Sequence, residues 1–91
     1  ILDNNPEKTE EILINLSKEN PKDPSVWYEL AEAQGLAGNI IGLHRSRAEY
    51  FILTGRYDSA IFQLREGLKL SKNFFEIRES IINKLEQIYK T

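Results

Sequence analysis

Apolar residues recur at helical spacing in five blocks of this chain, and polar punctuation separates each block from the next. In the first block Ile12, Leu13 and Leu16 form one stripe, with Glu10, Glu11, Lys18 and Glu19 on the wet side. Asn5-Pro6-Glu7 ahead of it reads as a helix start. Asn caps free backbone N–H groups, Pro is tolerated at the first helical position, and Glu suits the positive end of the dipole. The residue before a proline is pushed out of the α region, so Asn20-Pro21 stops this helix. Asp23-Pro24 repeats the start signal, and a second helix runs from there to near Ala37. Its stripe is Trp27, Leu30, Ala31 and Gln34, flanked by Val26 and Ala33. Gly38-Asn39 is a turn signal. A third helix over roughly 41–54 places Ala48, Phe51 and Ile52 on one face, and a fourth places Tyr57, Ala60, Ile61, Leu64 and Leu68. Gly55 between them takes φ > 0 without steric cost, so it ends one helix and lets the chain reverse. Asp58 falls in the first turn of the fourth helix, where the dipole favours an anion. The last helix opens at Asn73-Phe74-Phe75-Glu76, with Asn and Glu spaced as in a capping box. Its stripe is Ile77, Ile81, Leu85, Ile88 and Tyr89, widened by Ile82, while Arg78, Glu79, Lys84, Glu86 and Lys90 face water. No segment alternates as a strand does, so the pattern predicts an all-α domain of five helices.

The stretch from Arg47 to Leu70 carries a finer signal. Ala48, Phe51, Gly55, Tyr57, Ala60 and Leu64 stand at a spacing that resembles the tetratricopeptide (TPR) repeat, a 34-residue helix–turn–helix unit. The small Ala48 and Ala60 lie where two antiparallel helices approach closely. This chain departs from the pattern at four places. Gly67 takes the next small position in place of Ala, His44 stands where Trp is common, Arg47 where Leu is common, and no Pro closes the unit near Lys72. The best single repeat is 41–74, followed by a capping helix over 74–90 that closes the stack with a polar outer face. Trp27 with Leu30 and Ala31 resembles the opening of a first TPR helix too, which puts two frames in conflict, because Gly38 and Gly55 lie only half a repeat apart. The middle helix then serves both neighbours. The expected architecture is a set of antiparallel helical hairpins stacked as a TPR-like α-solenoid, one domain over 1–91.

Composition changes the picture in a few respects. A chain of 91 residues buries roughly 60–65% of the surface its unfolded form exposes, enough for a modest core. Twelve basic and 14 acidic residues give a net charge of −2, and no basic stripe of the kind nucleic-acid binders carry stands out. No run approaches the length of a transmembrane helix. There is no Cys, hence no disulfide and no thiolate chemistry. A chain that opens on Ile1 and holds no Met reads as a piece of a longer protein, with any targeting segment or enzyme site lying elsewhere.

Candidate chemistry is sparse. His44 is the single histidine, and without Cys it supplies no structural zinc set. No HExxH helix, no G-x-S-x-G and no phosphate-cradling glycine loop is present. Glu29 and Glu32 neighbour one another on one helix, but acid–base work needs a cleft with split environments, and a solvated face explains them. Arg45, Arg47 and Arg56 could form a basic patch, partly neutralised by Glu49 four residues after Arg45. Trp27, Phe51 and Tyr57 sit on stripes and read as core. Tyr28, Tyr50, Phe62 and Phe75 fall off the stripes and are candidates for packing between helices or for partner contact.

From Ser25 to Tyr89 the chain resembles one family more than TPR proteins in general. The run LHRSRAEYFILTGRYDSAIFQLREGLKL, followed by NFFEIRESIINKLEQI, resembles the C-terminal region of periplasmic zinc metallopeptidases with appended TPR repeats (BepA-like proteins). The residues that carry it are Arg47 to Tyr50, Thr54-Gly55, and Ala60, Ile61, Gln63 and Leu64. The resemblance implies a periplasmic protein in outer-membrane protein quality control, whose TPR part recruits substrates and partners. Those partners would be outer-membrane proteins, their assembly factors and the protein's own peptidase domain. Zinc is expected only in that peptidase domain, on an HExxH helix this sequence lacks, so no catalytic or metal residue carries over. The expectation is a non-catalytic protein- or peptide-binding module, with no nucleic-acid role. Its groove-facing candidates on the TPR frame are Tyr28, Glu32, Arg45, Glu49 and Ile52. A generic TPR adaptor, or a purely structural docking shoulder without a peptide groove, is the alternative.

Overall fold

Three of the five helices begin where a short polar side chain can take up a free backbone N–H. The computed structural model describes residues 5–90. Over that range the elements are α1 (Pro6–Glu19), α2 (Pro24–Ala37), α3 (Ile40–Leu53), α4 (Tyr57–Leu70) and α5 (Phe75–Tyr89). Residues 1–4 and 91 of the expected domain lie outside it. Asn5 Oδ1 accepts the Lys8 N–H at 3.1 Å, and Asn39 Oδ1 accepts that of Gly42 at 3.0 Å. Asp23 Oδ1 accepts the Ser25 hydroxyl at 2.7 Å and the Ser25 N–H at 3.0 Å, which together hold its carboxyl below the usual carboxylate range.

Two helix exits use the same device. At the end of α2 the Asn39 N–H donates to Gln34 O and the Gly38 N–H to Gly35 O. At the end of α3 the Arg56 N–H donates to Phe51 O and the Gly55 N–H to Ile52 O. These paired bonds are the Schellman arrangement, which requires a left-handed residue. Gly38 and Gly55 supply it at φ of 82° and 78°.

The start of α5 departs from the expected capping box. The N-cap is Phe74, with no side-chain hydrogen bond. The Phe74 N–H donates to Ser71 O at 3.0 Å, and the buried Ser71 hydroxyl donates to Leu68 O. Residues 71–74 are therefore spent on the turn, which leaves Asn73 one position too early to cap.

Short turns reverse the chain between successive helices, and each helix packs on the next, giving a stack of antiparallel hairpins. The stack measures 41 × 29 × 19 Å, and its thinnest dimension is that of about two helix layers. The apolar side chains gather in two groups. Leu13, Leu30 and Ala33, with Ile14 and Trp27 against them, join α1 to α2. Ala48, Ala60, Leu64, Ile81 and Leu85 join α3, α4 and α5. The Trp27 helix thus shares its core with α1, as the second helix of a hairpin. The middle helix α3 packs closely on both α2 and α4. Ala48 and Ala60 are fully buried, as expected for the point of closest approach.

Several core assignments change. Tyr57 is 46% exposed, because it is the first residue of α4 and no preceding turn of its own helix lies under its ring. Trp27 is only half-buried. Ile12, Leu16 and Tyr89 lie at the outer faces of the terminal helices and are exposed. Lys84, expected in water, pairs with Glu49 at 3.2 Å.

Gly67 offers a test of the packing between α4 and α5. A Cβ there would stand 3.4 Å from Ile81 Cδ1 and 3.6 Å from His44 Cβ, ordinary contact distances. Replacing a mid-helix Gly by Ala then removes a propensity penalty of about 0.5–1 kcal/mol. Gly67→Ala should raise the thermal midpoint by about 2–8 °C in a circular dichroism melt. A fall would mean that α4 and α5 lie closer together than these distances allow.

Candidate functional site

A groove of about 620 Å³ runs across α1, α3 and α5, with α2 as its floor. Ile14, Ser17 and Lys18 line it from α1. Ile41, Gly42, Arg45, Ser46 and Glu49 line it from α3, and Phe74 and Ile77 from the start of α5. Trp27, Leu30 and Gln34 reach it from α2. Alternate helices reach the same face because each hairpin returns the chain to its starting layer.

The groove is held open by fixed contacts. At its floor the Ser46 hydroxyl donates to Gln34 Oε1 at 2.6 Å, and both residues are buried. Gly42 lies beside them. A Cβ at Gly42 would meet Gln34 Nε2 at 2.7 Å and Asn39 Nδ2 at 2.6 Å, so the bare backbone makes room for two amide side chains. The Trp27 indole N–H donates to Pro21 O at 2.8 Å, which fixes the ring at the groove wall. Asn39 Nδ2 donates to Glu10 Oε2 at 2.6 Å and ties the start of α3 to α1. On the other side Arg45 Nη2 donates to Ser80 Oγ at 2.8 Å and Lys84 pairs with Glu49, so two polar contacts join α3 to α5.

The expected partner-binding set divides. Arg45 and Glu49 line the groove. Tyr28 and Glu32 lie on the other side of the α2–α3 hairpin, in a small cleft of about 100 Å³ shared with Arg47, Tyr50 and Phe51. There the Tyr28 and Tyr50 rings meet edge-on at 5.5 Å, and Tyr50 meets Phe51 at 5.4 Å. Ile52 packs against the C-terminal core group. The three arginines do not form a patch, since residues two apart on a helix do not face each other. Arg45 turns to the groove, Arg47 to the cleft, and the Arg56 guanidinium sits 5.1 Å from the Phe51 ring centroid. Glu49 forms its ion pair with Lys84 of α5 and not with Arg45.

His44 bridges α3 and α4. Its Nδ1 lies 2.8 Å from Gln63 Oε1, within hydrogen-bond distance. Among the described residues no three His, Cys, Asp or Glu side chains converge as a metal site would require. Among them, too, no helix is long and apolar enough to cross a membrane.

Sequence reasoning missed Ile14, Lys18, Ile41, Phe74 and Ile77 as groove residues. Ile14 and Ile41 are apolar positions off the predicted stripes, and that is the one signal that marks them. A comparison with protein-family models, curated proteins and solved structures finds no match to this chain.

The Gln34–Ser46 pair should behave as a coupled unit. Ser46→Ala leaves a buried carbonyl oxygen without its donor and should cost about 1–3 kcal/mol in urea denaturation. Adding Gln34→Met, which removes the orphaned acceptor at similar volume, should recover most of that loss. Full additivity of the two changes would show the bond to be dispensable.

Proposed function

We propose that this domain is a non-catalytic recruiting module whose groove across α1, α3 and α5 receives a segment of a partner protein. Together with the resemblance at Arg47 to Tyr50 and Ala60 to Leu64, this reading makes it the TPR arm of a periplasmic zinc metallopeptidase in outer-membrane protein quality control. Its clients would be outer-membrane proteins and their assembly factors. The observation that carries the reading is the groove itself. Its volume of about 620 Å³ falls in the range of ligand sites, and Ile14, Trp27 and Ile41 give it apolar walls. Backbone and side chains are already fixed by hydrogen bonds, so binding loses little to reorganisation. The cleft around Tyr28 and Glu32 is large enough for one anchoring side chain only.

A second reading rests on α1. Ile12 is 52% exposed and Leu16 37%, so the outer face of this helix presents apolar surface that a neighbouring domain could cover. On that reading the stack is a docking shoulder.

Trp27 is the one tryptophan of the chain and lines the groove, so its emission reports occupancy. Segments of unfolded outer-membrane proteins should shift that emission on titration. Ile41→Asp adds a charge to the groove wall in the first turn of α3, where the helix dipole tolerates it. It should weaken binding roughly tenfold or more while the melting temperature stays within a few degrees. Ile12→Asp should leave binding unchanged. The reverse result, with Ile12→Asp abolishing association and Ile41→Asp silent, would replace the groove by the α1 shoulder.

A further inference from the structure

The three ionisable residues that line the groove are not equivalent. Glu49 is held by Lys84 at 3.2 Å. Lys18 and Arg45 have no carboxylate partner among the described residues. Lys18 has a local reason to be where it is, because it lies in the last turn of α1 and suits the negative end of the dipole. Arg45 has none. It lies mid-helix in α3, half-buried, and its side-chain hydrogen-bond partner among the described residues is the neutral Ser80 hydroxyl. A guanidinium carries five N–H donors in a rigid fork, and Ser80 takes one of them. The rest of the fork is available to a planar acceptor, and the Ser80 bond holds it in place.

We infer that the groove selects segments in which Asp or Glu side chains stand beside apolar ones. The carboxylates meet Arg45 and Lys18, and the apolar side chains meet Ile14, Trp27 and Ile41. This inference rests on the groove reading given above and adds the chemical class of the ligand. The charge match is local. The chain as a whole carries −2, but charges farther away than about 8 Å are largely screened at physiological ionic strength, so Lys18 and Arg45, which have no carboxylate partner among the described residues, act locally on a segment lying in the groove. A carboxylate on the Arg45 fork forms charge-assisted bonds, shorter and stronger than those an amide would form there.

The test uses the 91-residue chain and short synthetic peptides with both ends blocked, so that only side-chain carboxylates are offered. Three peptides share their apolar residues and differ in carrying Glu, Gln or Lys between them. Trp27 emission follows binding. The Glu peptide should bind roughly five- to twentyfold more tightly than the Gln peptide, and the Lys peptide most weakly. The advantage of Glu over Gln should shrink as salt is raised. Arg45→Gln and Lys18→Gln should each reduce that advantage. Equal binding of the Glu and Gln peptides would overturn the acidic selectivity while leaving the groove as a binding site. Failure of all three peptides to bind would remove the groove reading and this inference together. Should Arg45→Gln fail to fold, the peptide series on the unaltered chain still decides.

Discussion

The close approach of α3 to both its neighbours is the constraint on which the rest of the structure depends. On one side Ala48 meets α4 at Ala60, and neither side chain retains any exposed surface. On the other, Gly42 and Ser46 face α2, where a Cβ at Gly42 would strike the Gln34 side chain. Interiors are close-packed, so a helix can touch two partners at this distance only if the facing positions are small. Larger residues would push α2 or α4 outward and separate the two core groups. Ile81, at 1% exposure, would then lose burial worth about 1.5–3 kcal/mol.

The groove follows from that arrangement. The apolar core divides into an α1–α2 part and an α3–α4–α5 part. Where they meet, the chain places the buried Gln34–Ser46 hydrogen bond and the bare Gly42 backbone. The seam is therefore polar at its base and apolar along its walls. Fixed polar contacts continue outward from it. Asn39 to Glu10 holds the α1 side, and Arg45 to Ser80 with Glu49 to Lys84 holds the α5 side. Exposed ion pairs contribute little to stability on their own. Here their consequence is placement: Lys84 occupies Glu49, and this leaves Arg45 as a cation oriented by a neutral partner.

The existence and order of the helices, and most of their limits, were determined by the sequence, because those depend on neighbours along the chain; the start of α5 is the exception. Asn5-Pro6, Asp23-Pro24 and the glycines at 38 and 55 act through backbone geometry and hydrogen bonds a few residues away, so each could be read in place. The buried Ala48, Ala60 and Leu64 were legible for the same reason, since helical spacing identifies a face whatever it packs against. Only the tertiary structure decided what met that face. Periodicity placed Trp27 on a stripe but could not say that Trp27 and Leu30 pack with α1 while Gln34 bonds to Ser46 of α3. It gave Arg45 and Glu49 to each other by their spacing along α3, whereas Ser80 and Lys84, far away in sequence on α5, are their partners. It grouped Tyr28 with Arg45, which lie on opposite sides of one hairpin. Contacts between helices depend on how each is rotated about its axis and where its neighbours end, and neither quantity is written in any local stretch of sequence.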